Sequence, residues 1–248
     1  MFSLRRLVVA FCAGSLAFGV AACGEEATDS GPPKGEPIAP VVAPAGQSWV
    51  ETAAETPEGG FRIGNPNAPL KLVEYASHTC HVCAAFSKEG AAPMDKYVET
   101  GVVSYEIRNL IRDPVDLTIA LLARCSGPAA FHPIANQVWQ NFDDLMNTVQ
   151  SNGAAIQQVA NVPPAQRFQA IGQASGLLDF FAARGISNDQ AMQCLADAAK
   201  AEQIATRSQT QSDDLQLTGT PTFFLNGQLI EGTSWAALEP ILQAAGAR

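Results

Sequence analysis

Apolar and polar positions alternate along a few short stretches of this chain and recur at helical spacing through most of the rest. Leu70-Lys71-Leu72-Val73-Glu74-Tyr75 and Val102-Val103-Ser104-Tyr105-Glu106-Ile107 read as strands. The segment between them takes up helical spacing at the pair Cys80 and Cys83, and Pro93 is expected to kink or end that helix. A strand-helix-strand unit of this length implies parallel pairing through a right-handed crossover. Upstream, Trp49-Val50-Glu51-Thr52, the turn residues Pro57-Glu58-Gly59-Gly60 and Phe61-Arg62-Ile63 predict a short hairpin. From Val115 to Ser208 the spacing is helical, with breaks at Gly127-Pro128, Gly153, Pro163-Pro164 and Gly185. Helical patterns cover Thr118 to Cys125 and Asn188 to Ser208, and Ser187 three residues before Gln190 forms a capping box. Strand character returns at Pro221-Thr222-Phe223-Phe224-Leu225, followed by the hairpin turn Asn226-Gly227 and Gln228-Leu229-Ile230. A helix from about Ser234 to Ala245 closes the chain. The order is strand, helix, strand, a helical insertion over 113–208, then hairpin and helix, which is an α/β arrangement.

The first 46 residues follow a different pattern. Arg5 and Arg6 precede an apolar run of 16 residues, Leu7 to Ala22, which ends in small side chains. That run is short of the roughly 20 residues a spanning helix needs, so residues 1–22 read as a secretory signal. Val20-Ala21-Ala22-Cys23 looks like the lipobox of bacterial lipoproteins, in which Cys23 would carry lipid; ordinary cleavage beside an incidental cysteine is the alternative. Residues 23–46 hold Pro32, Pro33, Pro37, Pro40 and Pro44 among acidic and small residues, and read as a disordered tether before a folded domain at 47–248. The formal charge is −9, and loss of the signal with its two arginines takes it to −11. That acidity, and the absence of any run of lysine or arginine, excludes nucleic acid as a partner.

The cysteines carry the candidate chemistry. Of six, Cys12 leaves with the signal and Cys23 is taken by lipid, which leaves Cys80, Cys83, Cys125 and Cys194. A thiol at the first turn of a helix faces unpaired N–H groups and the positive end of the helix dipole, and both favour thiolate. Cys80 has that position, and Cys83 is one turn further on, close enough to close a small disulfide with it. In an oxidising compartment the remaining two thiols would form a structural Cys125–Cys194 cross-link; buried free cysteines are the alternative.

Together, the CxxC at Cys80 to Cys83, Glu74 six residues earlier in a strand, and Gly219-Thr220-Pro221-Thr222-Phe223 resemble the DsbA-like thiol:disulfide oxidoreductases, in a lipoprotein-type form. The resemblance runs from Trp49 to the C-terminus and implies a thioredoxin fold with an inserted α-helical domain. It implies Cys80 as attacking thiolate, Cys83 as resolving cysteine, and Pro221 as a cis-proline whose preceding residue, Thr220, offers backbone to an extended substrate. Glu74 would be the buried acid that relays a proton to or from Cys83. His81 departs from the family pattern, where histidine commonly stands immediately before the second cysteine; here that position is Val82. An imidazole at His81 would either stabilise the Cys80 thiolate or point to solvent.

The expected function is donation of disulfides to exported proteins in the bacterial periplasm, with no cofactor and with a lipid anchor holding the enzyme at a membrane. Reoxidation would fall to a DsbB-like, quinone-linked membrane oxidase or another redox partner. A reductase or isomerase of the same fold is the alternative reading. A copper or zinc chaperone using Cys80, Cys83 and a histidine is the alternative of a different class, although only half a zinc site is present.

Overall fold

The computed structural model describes residues 35–159 and 162–248. Along the chain run β1 (Ala53–Glu55), β2 (Phe61–Ile63), β3 (Leu70–Ala76), α1 (His81–Glu99) and β4 (Val103–Asn109). Eight helices follow: α2 (Pro114–Arg124), α3 (Pro128–Gln140), α4 (Phe142–Ser151), α5 (Gly153–Gln158), α6 (Pro164–Ser175), α7 (Leu177–Ala182), α8 (Asn188–Leu195) and α9 (Ala198–Asp214). The chain then returns to the sheet in β5 (Thr222–Leu225) and β6 (Gln228–Ile230) and ends in α10 (Trp235–Ala244).

The six strands form one mixed sheet in the order β1-β2-β4-β3-β5-β6. Only β3 and β4 are parallel, in register from Leu70 opposite Val103 to Ala76 opposite Asn109, with α1 as their crossover. The two-residue period of β3 puts Leu70, Leu72, Glu74 and Ala76 on one face, and Leu72 and Ala76 are fully buried there. α1 packs on α3 and α10 and contributes Phe86, Met94 and Val98 to the core, where α3 adds Phe131, Val138 and Trp139. Each of these large apolar side chains contributes about 2 kcal/mol by leaving water. Phe61 of β2 stacks on Phe131 at 4.2 Å between ring centroids, which seats the insertion against the sheet.

Four elements differ from the sequence-based expectation, each for a tertiary reason. Helix α1 continues through Pro93 to Glu99. The lost backbone bond costs about 3 kcal/mol, and burial of Phe86, Met94 and Val98 on one face outweighs it. The first hairpin is displaced: Trp49 sits in a turn, buried, with its indole N–H donating to the Val41 carbonyl at 2.6 Å, and the strand begins only at Ala53. The expected helix over Asn188 to Ser208 is two helices, broken where the Asp197 side chain caps α9 by accepting from the Lys200 N–H.

The fourth difference concerns the expected tether. Its described part, 35–46, has no regular secondary structure, yet its first half is strapped to the domain. The Gly35 N–H donates to Ala244 O, the Ile38 N–H to Gly246 O and the Val41 N–H to Thr100 O. Pro37 and Pro40 keep the strap extended at little entropic cost while the intervening amides remain free to pair. Residues 35–41 are therefore part of the folded domain and not of a free spacer. The expected signal, Cys12 and the expected lipidation site Cys23 lie outside the described residues. Among the described residues, no helix is long and apolar enough to cross a membrane.

Cys125 at the C-terminal end of α2 and Cys194 in α8 are joined by a disulfide, with Cα atoms 5.8 Å apart and 69 positions between them in sequence. Replacing both by alanine is expected to cost about 4 kcal/mol through the larger entropy of the open unfolded chain. Denaturant unfolding of the double variant beside the oxidised parent measures the loss.

Candidate active site

The loop Ser77–Cys80 connects the C-terminal end of β3 to α1, and Cys80 is the N-cap residue of that helix, in an extended conformation with φ −97° and ψ 118°. The Cys80 side chain makes no capping hydrogen bond as a thiol, so the first-turn amides remain available to a thiolate at this position. The structure holds Cys80 and Cys83 as two thiols, 3% and 0% exposed.

Their surroundings drive the two thiols apart. The Cys80 thiol is pulled down to about 5, first by the Cys83 thiol that donates to it, then by the Thr220 hydroxyl and the backbone N–H groups of Cys83 and Val82, which together outweigh its burial. Cys83 moves far upward, first through burial and then through the proximity of Cys80 and Glu74. As a thiol, Cys80 donates to the Thr220 carbonyl at 3.2 Å.

Two helices of the insertion hold the loop that presents Cys80. Asp116, fully buried near the start of α2, accepts from the Ser77 hydroxyl at 2.7 Å, the His78 N–H at 2.9 Å and the Arg112 N–H at 3.0 Å. Asp113, which caps α2, accepts from the Thr79 hydroxyl at 3.0 Å. Trp139 of α3 donates its indole N–H to the Ser77 carbonyl at 3.1 Å and stacks on His78 at 5.4 Å between centroids. The His78 imidazole is fully buried, with Nδ1 3.7 Å from Asp116 and 3.4 Å from the Asn109 amide.

Glu74, on the sheet face beneath the pair, is fully buried. Burial pushes it up to about 8, against the effect of its hydrogen bond from Tyr105 and with a smaller push from Cys80. Tyr105 donates to Oε2, and Oε1 has no partner. Opposite the thiols, the Thr220–Pro221 peptide is cis and leads into β5. Beside it lies a cavity of about 340 Å³ lined by Leu217, Thr220, Pro221, Leu229 and Ile230 among others. Leu229, on the edge strand β6, is 63% exposed.

Cys80, Cys83, Glu74, Thr220 and Pro221 thus converge from three segments, β3, the start of α1 and the lead into β5, on one end of the sheet. His81 is exposed on the first turn of α1 and makes no hydrogen bond to Cys80. Cys125 and Cys194 lie in the insertion, as a cross-link and not as part of the site. The sequence reading missed Asp116, Trp139 and Tyr105. Asp113-Pro114 signals a helix start, but nothing local ties Asp116 to a loop 39 positions away in sequence.

Among the described residues, no group of three or more His, Cys, Asp or Glu side chains is placed to hold a metal ion. The arrangement can instead carry thiol–disulfide exchange, because it pairs a stabilised thiolate with a buried thiol, an acid and an open backbone segment.

Comparison with known proteins gives the same picture. A family profile described as Thioredoxin matches residues 56–244. A crystal structure of a protein-disulfide isomerase from Novosphingobium aromaticivorans is 32% identical, with TM-score 0.69, over 74% of this chain and 95% of that one. The alpha-DsbA1 structure from Wolbachia pipientis, 21% identical with TM-score 0.60 over 77% of this chain and 92% of its own, shares the fold. Proteins of Rickettsia typhi and Rickettsia felis, provisionally named protein-disulfide oxidoreductases, are 27% and 25% identical over 69% and 80% of this chain. The chain spans only 56% and 62% of their lengths.

The reduced protein is expected to show a thiolate ultraviolet absorbance with midpoint near pH 5, absent in Cys80→Ser and moved upward in Cys83→Ala, which loses the largest stabilising donor. Folding depresses this pKa, so its contribution to stability is complete above the ordinary thiol value of 9.0 and is lost as pH falls through about 5. Unfolding of the reduced protein beside Cys80→Ser across that window checks the sign. Asp116→Ala leaves buried donors unpaired and is expected to cost about 3 kcal/mol, measured by denaturant unfolding.

Proposed function

The chain belongs to the thioredoxin family, and from that premise we propose that it is a thiol:disulfide oxidoreductase whose Cys80–Cys83 pair donates a disulfide to exported proteins in the bacterial cell envelope. The observation that carries this reading is the opposite displacement of the two thiols, Cys80 down to about 5 and Cys83 far upward. A substrate thiolate attacks Sγ of Cys80 in the oxidised enzyme; the bond to Cys83 breaks, and Cys83 leaves and takes a proton. A second substrate thiolate then attacks the substrate sulfur of the mixed disulfide. The substrate leaves oxidised, and Cys80 departs as a stable thiolate. A leaving group of low pKa drives that last step and makes the disulfide oxidising.

The segment Gly219-Thr220-Pro221 and the apolar cavity beside it fit an extended peptide. Its backbone would pair with that of Thr220, while an apolar side chain would sit near Leu217 and Leu229. The reduced enzyme needs an oxidant, and a DsbB-like quinone-linked membrane oxidase has the required chemistry. The N-terminal pattern supports export to the periplasm and lipidation at Cys23, which would raise the local concentration at such a partner.

A second reading, reductase or isomerase, draws on the name of the Novosphingobium structure. Equilibration of the Cys80–Cys83 pair with a glutathione redox buffer separates the two. The oxidase reading expects a pair that stays reduced when glutathione is largely oxidised; a pair that stays oxidised in reduced glutathione would move the assignment to the reductase. Cys80→Ser is expected to abolish oxidation of a dithiol peptide, and Cys83→Ser, offered the disulfide form of that peptide, to hold the mixed disulfide that forms when the Cys80 thiolate attacks it and the second peptide sulfur leaves. Mass spectrometry of the trapped adduct checks both.

A further inference from the structure

The buried acid beneath the thiols has one oxygen committed and one free. Glu74 Oε2 accepts from the Tyr105 hydroxyl, whereas Oε1 is buried without a partner. The pairing is built into the sheet. Tyr105 lies opposite Leu72, two residues before Glu74 on the adjacent parallel strand, and the two-residue period puts both side chains on one face. Both are buried, and the His132 ring packs against Tyr105 in a T-shaped arrangement at 5.3 Å between centroids.

We propose that Tyr105 is a positioning residue for the proton step at Cys83: its hydroxyl occupies Oε2 of Glu74 and thereby leaves Oε1 as the oxygen that gives and takes the proton. This deepens the exchange reading above and rests on it. When a substrate thiolate opens the disulfide, the S–S electron pair goes to Cys83 Sγ and the proton on Oε1 follows, giving thiol and carboxylate. In the reverse step Cys83 returns the proton to Oε1 as its sulfur attacks Cys80, and the sulfur previously bound to Cys80 leaves as a thiolate. Each direction conserves one proton and one electron pair.

The charged and titratable groups around this pair are few. α1 supplies Cys80, Cys83 and Asp95, and the carboxyl of Asp95 is itself shifted upward by burial. α3 supplies His132, which burial pulls down to about 4; it is therefore neutral and donates through Nε2 to the Phe61 carbonyl. β5 contributes the apolar Phe223 opposite Glu74. No cation from these elements competes with the hydroxyl. A donor on Oε2 favours the carboxylate, so removing it raises the pH at which Glu74 ionises.

The test mixes the reduced full chain with oxidised glutathione and follows the unimolecular phase, in which Cys83 expels glutathione from Cys80, across pH. In Tyr105→Phe the Glu74 inflection is expected to move upward by about one unit, with the phase about tenfold slower below it. Glu74→Gln should lose the inflection, and adding Tyr105→Phe to it should change nothing further. An unmoved inflection on a uniformly scaled profile, or a Tyr105→Phe effect that persists beside Glu74→Gln, overturns the proposal. Carboxyl carbon-13 NMR reads the same ionisation without turnover. The parent should show one carboxyl titrating near 8, absent in Glu74→Gln and higher in Tyr105→Phe. A parent with no such carboxyl overturns the proposal even if Tyr105→Phe does not fold. A titration that behaves as expected in a protein showing no exchange phase overturns the exchange reading instead.

Discussion

A sulfur anion at the N-terminus of α1 is the constraint around which this domain is arranged. The helix leaves its first amides without intrahelical partners, and those of Cys83 and Val82 favour the thiolate of the N-cap Cys80. The same geometry puts Cys83 one turn inward, where burial works against ionisation. Two identical side chains three residues apart thus acquire opposite tendencies. One favours the charged form through donors, and the other is kept protonated by the lack of water. Exchange chemistry needs this difference, because the N-cap sulfur must leave easily and the one a turn further in must accept a proton as it leaves.

Holding that sulfur in place is largely the work of the insertion. The loop Ser77–Cys80 has little structure of its own. Asp116 and Asp113 from α2 and Trp139 from α3 between them engage Ser77, His78 and Thr79. A buried carboxylate that accepts three hydrogen bonds is a rigid clamp, since each donor would be left unsatisfied if it moved. Further along α2, the disulfide to α8 ties the far end of the same helix. The helical insertion is therefore a scaffold for the reactive loop as well as a cover for the sheet.

Beneath the thiols, burial shifts Glu74 in the direction that suits its neighbour. A carboxyl pushed up to about 8 ionises in the range where a proton can pass to or from a thiol. The neighbouring hydroxyl of Tyr105 moderates that shift without introducing charge, so the site stays apolar enough to keep Cys83 protonated. Across the pair, Thr220 serves Cys80 twice: its carbonyl accepts from the thiol, and its hydroxyl stabilises the thiolate. Beside it, apolar side chains line a cavity and Leu229 is largely exposed.

Most of the architecture was legible in the linear order of residues, because the signals involved are local. The two-residue period marked β3 and β4, Asn226-Gly227 marked the last hairpin, and the CxxC at a strand-to-helix junction marked where the two thiols sit. Local rules failed where packing outweighed them, as at Pro93 inside α1, at the break before α9, and along the strap from Gly35 to Val41, whose amides found partners on distant elements. The position of Cys80 and Cys83 on the first turn of a helix was thus set by sequence alone, since it depends only on neighbours a few residues away. The burial of Glu74, its bond to Tyr105 and the grip of Asp116 and Trp139 on the loop arose only from the tertiary structure, because desolvation and hydrogen bonding across the sheet depend on which distant segments exclude water.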